Sequence, residues 1–159
     1  MSGLTLFHVI VSLIAIVSGI GVAYGLIVSR RYERCTFVYM VSTIVTLLTG
    51  FFFPYHGFTP AIGIGILCTL IFIPTAIARY TFHMNGIWRP VFIVGSLVLF
   101  FFNSLVLIVQ SFQKIPALNA FAPNGNEPPI MVAQAALLVV FLIVGFFSVR
   151  RFHPTLLGA

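Results

Sequence analysis

Aspartate is absent from this sequence, and Glu33 and Glu127 are its only acidic residues. Charged side chains make up 6% of the chain, against about 25% in soluble domains. A water-facing surface cannot be covered with so little charge. The lack of Asp excludes a Ser-His-Asp triad. The two glutamates fall on opposite sides of the threading derived below, so they cannot form a paired-carboxylate site within one chain. HExxH, Walker A and GxGxxG patterns are also missing. The expectation is a protein that is not an enzyme.

Cysteine is almost as scarce. Cys35 and Cys68 stand 33 positions apart, which matches no metal-ligand spacing and no disulfide framework. Cys68 lies in an apolar run and reads as a small buried hydrophobe. The net charge of +6 arises from eight basic residues that are too scattered for a phosphate-binding face. Nucleic acid is therefore not an expected partner.

What the chain does have is apolar length. Hydrophobic residues make up 60% of it, 18 of them phenylalanine, and about 20 apolar residues suffice to cross the hydrocarbon layer. Five segments qualify: residues 4–29, 36–53, 60–79, 90–111 and 130–149. Pro54 closes the second, whereas Pro60 and Pro90 sit in first turns, where a missing N–H costs nothing. Pro74 lies inside the third and is expected to kink it. The fold class expected is all-α: a polytopic membrane bundle of five transmembrane helices forming a single domain over residues 1–159.

Arginine placement sets the expected direction of threading. Arg30, Arg31, Arg34, Arg79, Arg89, Arg150 and Arg151 all fall on one side of the five-helix alternation, with only Lys114 opposite. The positive-inside rule makes the arginine side cytoplasmic. That places the N-terminus outside and the C-terminus in the cytoplasm. The first segment lacks a basic n-region and is longer than a signal-peptide core, so it reads as a retained helix. The outer loop 112–129, FQKIPALNAFAPNGNEPP, is expected to carry a short interfacial helix opened by Pro116 and stopped by Pro123, with Leu118, Phe121 and Ala122 on one face. Asn124-Gly125 then makes a turn.

Polar residues within the apolar segments are the candidates for chemistry. Ser96, Asn103 and Gln110 recur every seven residues, with Lys114 four further on, which returns to nearly one helix face. Polar groups at membrane depth turn toward other helices or a hydrated cavity. Two readings stand side by side, interhelical glue and a ligand or solute site. On the second segment Tyr39, Thr43, Thr46 and Gly50 form a facing stripe whose hydroxyls can bond their own backbone carbonyls. Gly19, Gly21 and Gly25 on the first allow close backbone approach, within the chain or in self-association. His8 and His56 both fall on the outer side and are expected to meet there with Tyr55, Gln110, Lys114, Glu127 and Gln134. A bis-His haem or metal site is the sharper account of that pair. Water, lipid or backbone hydrogen bonding is the plainer one. His83 and His153 adjoin basic residues on the other side and read as interface anchors.

The stretches TGFFFPYHGFTPAIGIGI (49–66) and VQSFQKIPALNAFAPNGNEPP (109–129) resemble parts of a group of small bacterial inner-membrane proteins for which no activity is established. The resemblance implies a bacterial cytoplasmic membrane as the location. It brings no cofactor and no catalytic residues.

Three functional expectations follow. The first is an accessory, assembly or stabilising subunit, whose partners are the lipid bilayer and other membrane subunits or a second copy of itself. The second is binding of a small ligand (quinone, haem or metal) at His8, His56, Asn103, Gln110 and Lys114. The third is a small-solute pathway along the Asn103–Gln110 face.

Overall fold

The computed structural model describes residues 3–54, 57 and 59–153 of the chain. It is all-helical, with no strand among the described residues. The elements are α1 (Gly3–Ile27), α2 (Glu33–Phe51), α3 (Pro60–Tyr80), α4 (Trp88–Lys114), α5 (Pro116–Asn119) and α6 (Pro128–Arg151). Five of these are long and apolar enough to span a membrane. The helices overrun the apolar segments at polar ends: α2 starts at Glu33 rather than residue 36, α4 at Trp88 rather than 90, and α6 ends at Arg151 rather than 149. Hydropathy marks only the hydrocarbon-compatible core, whereas interfacial Arg, Glu and Trp continue the same backbone.

Local chemistry explains the helix ends. Thr59 caps α3 by accepting from the Ile62 amide, with Pro60 at the first helical position. α1 stops where Ser29 adopts a left-handed φ of 56° and the Arg30 amide reaches back to the Gly25 carbonyl, a hydrogen bond of the Schellman type. α3 continues as helix through Pro74.

Long helices consecutive along the chain run antiparallel. The C-terminal ends of α1, α3 and α6 gather with the N-terminal ends of α2 and α4. This arginine end is tied together by three links that span the chain. Arg79 at the end of α3 pairs with Glu33 at the start of α2. Arg89 at the start of α4 donates to the Phe152 carbonyl just past α6 at 2.5 Å. The His153 amide donates to the Ser29 hydroxyl at 2.9 Å.

α4 is the hub, packing on α1, α3, α5 and α6. In its most apolar window 44% of residues are buried, against 6% for α6, which therefore lies on the periphery. The core is lopsided. Val22, Leu26, Tyr39, Met40, Ala78, Phe92, Ile93, Leu97, Phe100 and Phe152 form its continuous cluster, and nearly all sit in the half nearer the arginine end. Toward the other end, here the lysine end after Lys114, burial thins and many phenylalanines face outward, including Phe7, Phe51 and Phe52.

Gly19 sits under the Phe100 ring, where an added Cβ would lie 2.9 Å from a ring carbon. Gly21 faces Cys35 of α2, and Gly25 lies against the Arg30 carbonyl and Tyr32. The three glycines are thus in contact with this chain's own α4, α2 and the α1–α2 turn.

The loop helix is a single turn, Pro116–Asn119. It opens at Pro116 as the sequence suggests but stops before Pro123: past Asn119 the Phe121 and Ala122 amides bond the Leu118 and Asn119 carbonyls in tighter turns, while the Asn119 side chain donates to the Phe112 carbonyl. Leu118, Phe121 and Ala122 consequently do not share one face: Ala122 is buried and Phe121 is exposed.

Candidate functional site

At the lysine end, α1, α2 and α4 bring together two polar pairs. His8 Nδ1 lies 2.8 Å from the Thr49 hydroxyl. That hydroxyl already donates to the Val45 and Thr46 carbonyls on its own helix. With that proton directed to a carbonyl, the hydroxyl offers His8 a lone pair, an acceptor that suits the Nδ1–H tautomer. Nε2 then carries a lone pair. Phe53 meets the ring edge-on at a centroid distance of 5.2 Å. Gly50 leaves room beside the ring, since a Cβ there would lie 3.7 Å from the His8 Cε1.

One helical turn deeper, Asn103 on α4 donates through Nδ2 to the Ser12 carbonyl of α1 at 3.1 Å. That carbonyl is a second-lone-pair acceptor within a helix, so the bond ties α4 to α1 without breaking either backbone ladder. Tyr39 makes the comparable tie nearer the core, donating its buried hydroxyl to the Ser96 carbonyl at 2.8 Å.

The stripe Ser96–Asn103–Gln110–Lys114 does not stay on one buried seam. Ser96 is buried, Asn103 half-buried, and Gln110 and Lys114 are exposed. Burial falls along α4 toward the lysine end, so the same face passes from core to surface. The facing stripe on α2 divides as well. Tyr39 reaches α4, whereas Thr46 bonds the Ser42 carbonyl on its own helix and Gly50 faces His8 of α1. The Thr43 and Ser96 hydroxyls are buried without a hydrogen-bond partner.

Among the described residues His8 meets Thr49 and Phe53, and no hydrogen bond joins it to Gln110, Lys114, Glu127 or Gln134. His56 and Tyr55 lie outside those residues. Glu127 closes its own loop instead of meeting His8 or Lys114, accepting from the Asn124 amide at 2.8 Å, the Asn124 side chain at 2.8 Å and the Asn126 amide at 3.1 Å. Among the described residues no three His, Cys, Asp or Glu side chains converge as a metal site.

Hydrogen bonds to the charged form hold the Glu127 carboxyl below its ordinary value of 4.5, the Asn124 amide first among them. A depressed folded-state value means these contacts favour the ordered loop above the unfolded pKa and are lost as pH falls through the folded one. Protection of the Asn124 and Asn126 amides, taken relative to the intrinsic exchange rate at each pH, is therefore expected to fall on acidification below about pH 4. Protection that is flat across that range would contradict the carboxylate's role.

The second polar concentration is at the arginine end. The Arg79 side chain is only 9% exposed and pairs with Glu33, which is 61% exposed. Its guanidinium also lies 5.6 Å from the centroid of the Phe92 ring, a cation–π contact. Between α2 and α3 this pair borders a groove of about 500 Å³ lined by Glu33, Arg34, Phe37, Val38, Arg79 and Tyr80. Sequence reading assigned these arginines to topology and missed the groove, because residues 33 and 79 meet only after the α2–α3 hairpin closes.

Comparison of the chain with protein-family models, curated proteins and solved structures finds no match.

Proposed function

We propose that this chain is a multi-pass protein of a bacterial inner membrane. Its N-terminus is outside, its C-terminus is in the cytoplasm, and it serves as a small accessory, assembly or stabilising subunit of a larger membrane complex. The observation that carries the reading is where the polar side chains within the helices are used. His8–Thr49, Tyr39–Ser96 and Asn103–Ser12 each join one helix to another, so the interior is engaged in holding the bundle. What the molecule offers its surroundings is apolar helix surface, most of all on α6, where Val132, Val139, Val140, Leu142, Ile143 and Phe146 are exposed. Lipid supplies no hydrophobic drive between helices, so partners must be held by close packing of such surfaces. Extraction in a mild detergent followed by native separation is expected to recover the chain in a particle well above its 17.5 kDa mass. A lone monomer under every mild condition would overturn this reading.

The threading rests on the arginine end. In a chain with Cys35 and Cys68 replaced by alanine, Arg30→Cys and Ala120→Cys are expected to react with an impermeant maleimide from opposite sides of the membrane. Labelling of both from one compartment would refute the proposed topology.

A second reading is favoured by the His8–Thr49 pair. An imidazole with Nδ1–H bonded to Thr49 presents a free Nε2, the arrangement in which a histidine takes a metal, haem iron or a hydrogen-bond donor. Asn103 stands one turn away, and a quinone carbonyl or a small solute is the other occupant considered. Visible absorption and metal analysis of the purified protein test the haem and metal branch. A Soret band lost in His8→Ala supports it, and a blank spectrum with no metal removes it. Solvent extraction of bound quinone tests the rest, and unchanged solute flux in Asn103→Leu would end the pathway idea.

A further inference from the structure

We propose that the α2–α3 groove at the arginine end is a binding site for one anionic phospholipid of the leaflet facing that end. The inference rests on the membrane threading above and not on the accessory role.

Three features of the groove match the parts of such a lipid. Arg34 is exposed at the mouth, and Arg79 forms the inner wall, its side chain 91% removed from solvent and aimed by Glu33 and the Phe92 ring. A guanidinium presents several N–H donors in a fixed plane, which suits phosphate oxygens. Below the charged rim, Phe37 and Val38 expose 61% and 43% of their surface on the flank where an acyl chain would run. Tyr80 completes the rim, with an aromatic ring at the level where headgroup meets hydrocarbon.

Charge favours an anion. Glu33 offsets one of the two arginines in the groove, and seven arginines against that single glutamate leave this end six charges positive. Basic pockets between transmembrane helices are a recurring way to hold anionic headgroups. Glu33 has a double part. It positions Arg79 in the groove, and it is the group a phosphate must displace or share with.

The roles of Arg34 and Glu33 give opposite signs. Purified protein in nanodiscs is titrated with phosphatidylglycerol, phosphatidylcholine and inorganic phosphate, and bound lipid is read by native mass spectrometry. Phosphatidylglycerol is expected to be retained over phosphatidylcholine. Arg34→Gln, at an exposed position that leaves the fold intact, is expected to lower retention about five-fold. Glu33→Gln is expected to raise it, and Phe37→Ala to weaken lipid binding. Arg150→Gln removes an equal charge outside the groove, where Arg150 lies over the Phe146 ring, and is expected to change retention less than about two-fold.

Equal losses in Arg34→Gln and Arg150→Gln would reduce the effect to diffuse surface attraction and overturn the site. No preference over phosphatidylcholine, or a fall in Glu33→Gln, would do the same. Displacement by inorganic phosphate at equal concentration would assign the groove to a free anion and overturn the lipid. Threading is read separately by the labelling pair, so a failed titration with correct labelling sinks the lipid site alone.

Discussion

Gly95→Ala is expected to destabilise the bundle by about 1–3 kcal/mol, the usual cost of forcing atoms into a filled interior. Gly95 is on α4 at its crossing with α3, where Thr75 is fully buried. An added Cβ would overlap the Thr75 hydroxyl and lie 3.1 Å from its Cβ. Rotation of Thr75 gives little relief, because its hydroxyl is committed to the Ile71 carbonyl at 2.7 Å. The helices must separate. The double variant Gly95→Ala with Thr75→Ala removes the offending oxygen and is expected to recover part of the loss. That recovery would appear as a coupling term in a double-mutant cycle. Gly145→Ala is the internal control: its new Cβ would meet only the Leu97 side chain, at 3.8 Å, an ordinary contact. It is expected to change stability by no more than about 0.5 kcal/mol. Reversible denaturation in mixed micelles measures the unsubstituted protein, Gly95→Ala, Thr75→Ala, the double variant and Gly145→Ala. If Gly95→Ala and Gly145→Ala behave alike, the close α3–α4 contact is not what positions the hub.

The same contact shows which parts of the architecture can be read from a sequence and which cannot. Five apolar segments and a one-sided arginine distribution are local or additive properties, and a hydropathy window captures both. The five long helices follow from them. Helix ends were read short at Glu33, Trp88 and Arg151 because apolar length measures hydrocarbon thickness, whereas hydrogen-bonded backbone continues into the interface. The ties Glu33–Arg79, Arg89–Phe152 and Ser29–His153 join residues 46, 63 and 124 positions apart. No spacing rule reaches that far.

The candidate site was legible in part, for the same reason. A period of seven places Ser96, Asn103 and Gln110 on one face of α4, and that much is helix geometry. Whether such a face is buried depends on how the neighbouring helices pack. Here burial falls toward the lysine end: Asn103 reaches Ser12 of α1 while Gln110 and Lys114 stand at the surface. The pairing of His8 with Thr49 likewise needed the α1–α2 register. His56, named with it, lies outside the described residues.

Removing Arg89 is expected to free the arginine end of α6. Only Ile130 and Ser148 of this helix are buried, so it has little side-chain packing to hold it within the chain. Its last carbonyls have no intrahelical partner and carry the negative end of the helix dipole. Arg89 of α4 meets them, donating to Phe152 at 2.5 Å and Val149 at 3.4 Å. Its guanidinium also stands 2.9 Å from His153 Nε2. Hydrogen bonds from a charged donor are worth about 1.5–3 kcal/mol, so Arg89→Leu is expected to cost roughly that much. It should also release residues 149–153, raising their amide exchange while α1–α4 keep theirs. Arg89→Lys retains a charged donor nitrogen but not the planar guanidinium that places Nη1 against both carbonyls, and should fall between the two. Exchange at residues 149–153 that is unchanged in Arg89→Leu would mean that α6 is held by its apolar contacts with α1 and α4 alone, and that the guanidinium clasp contributes nothing to docking it.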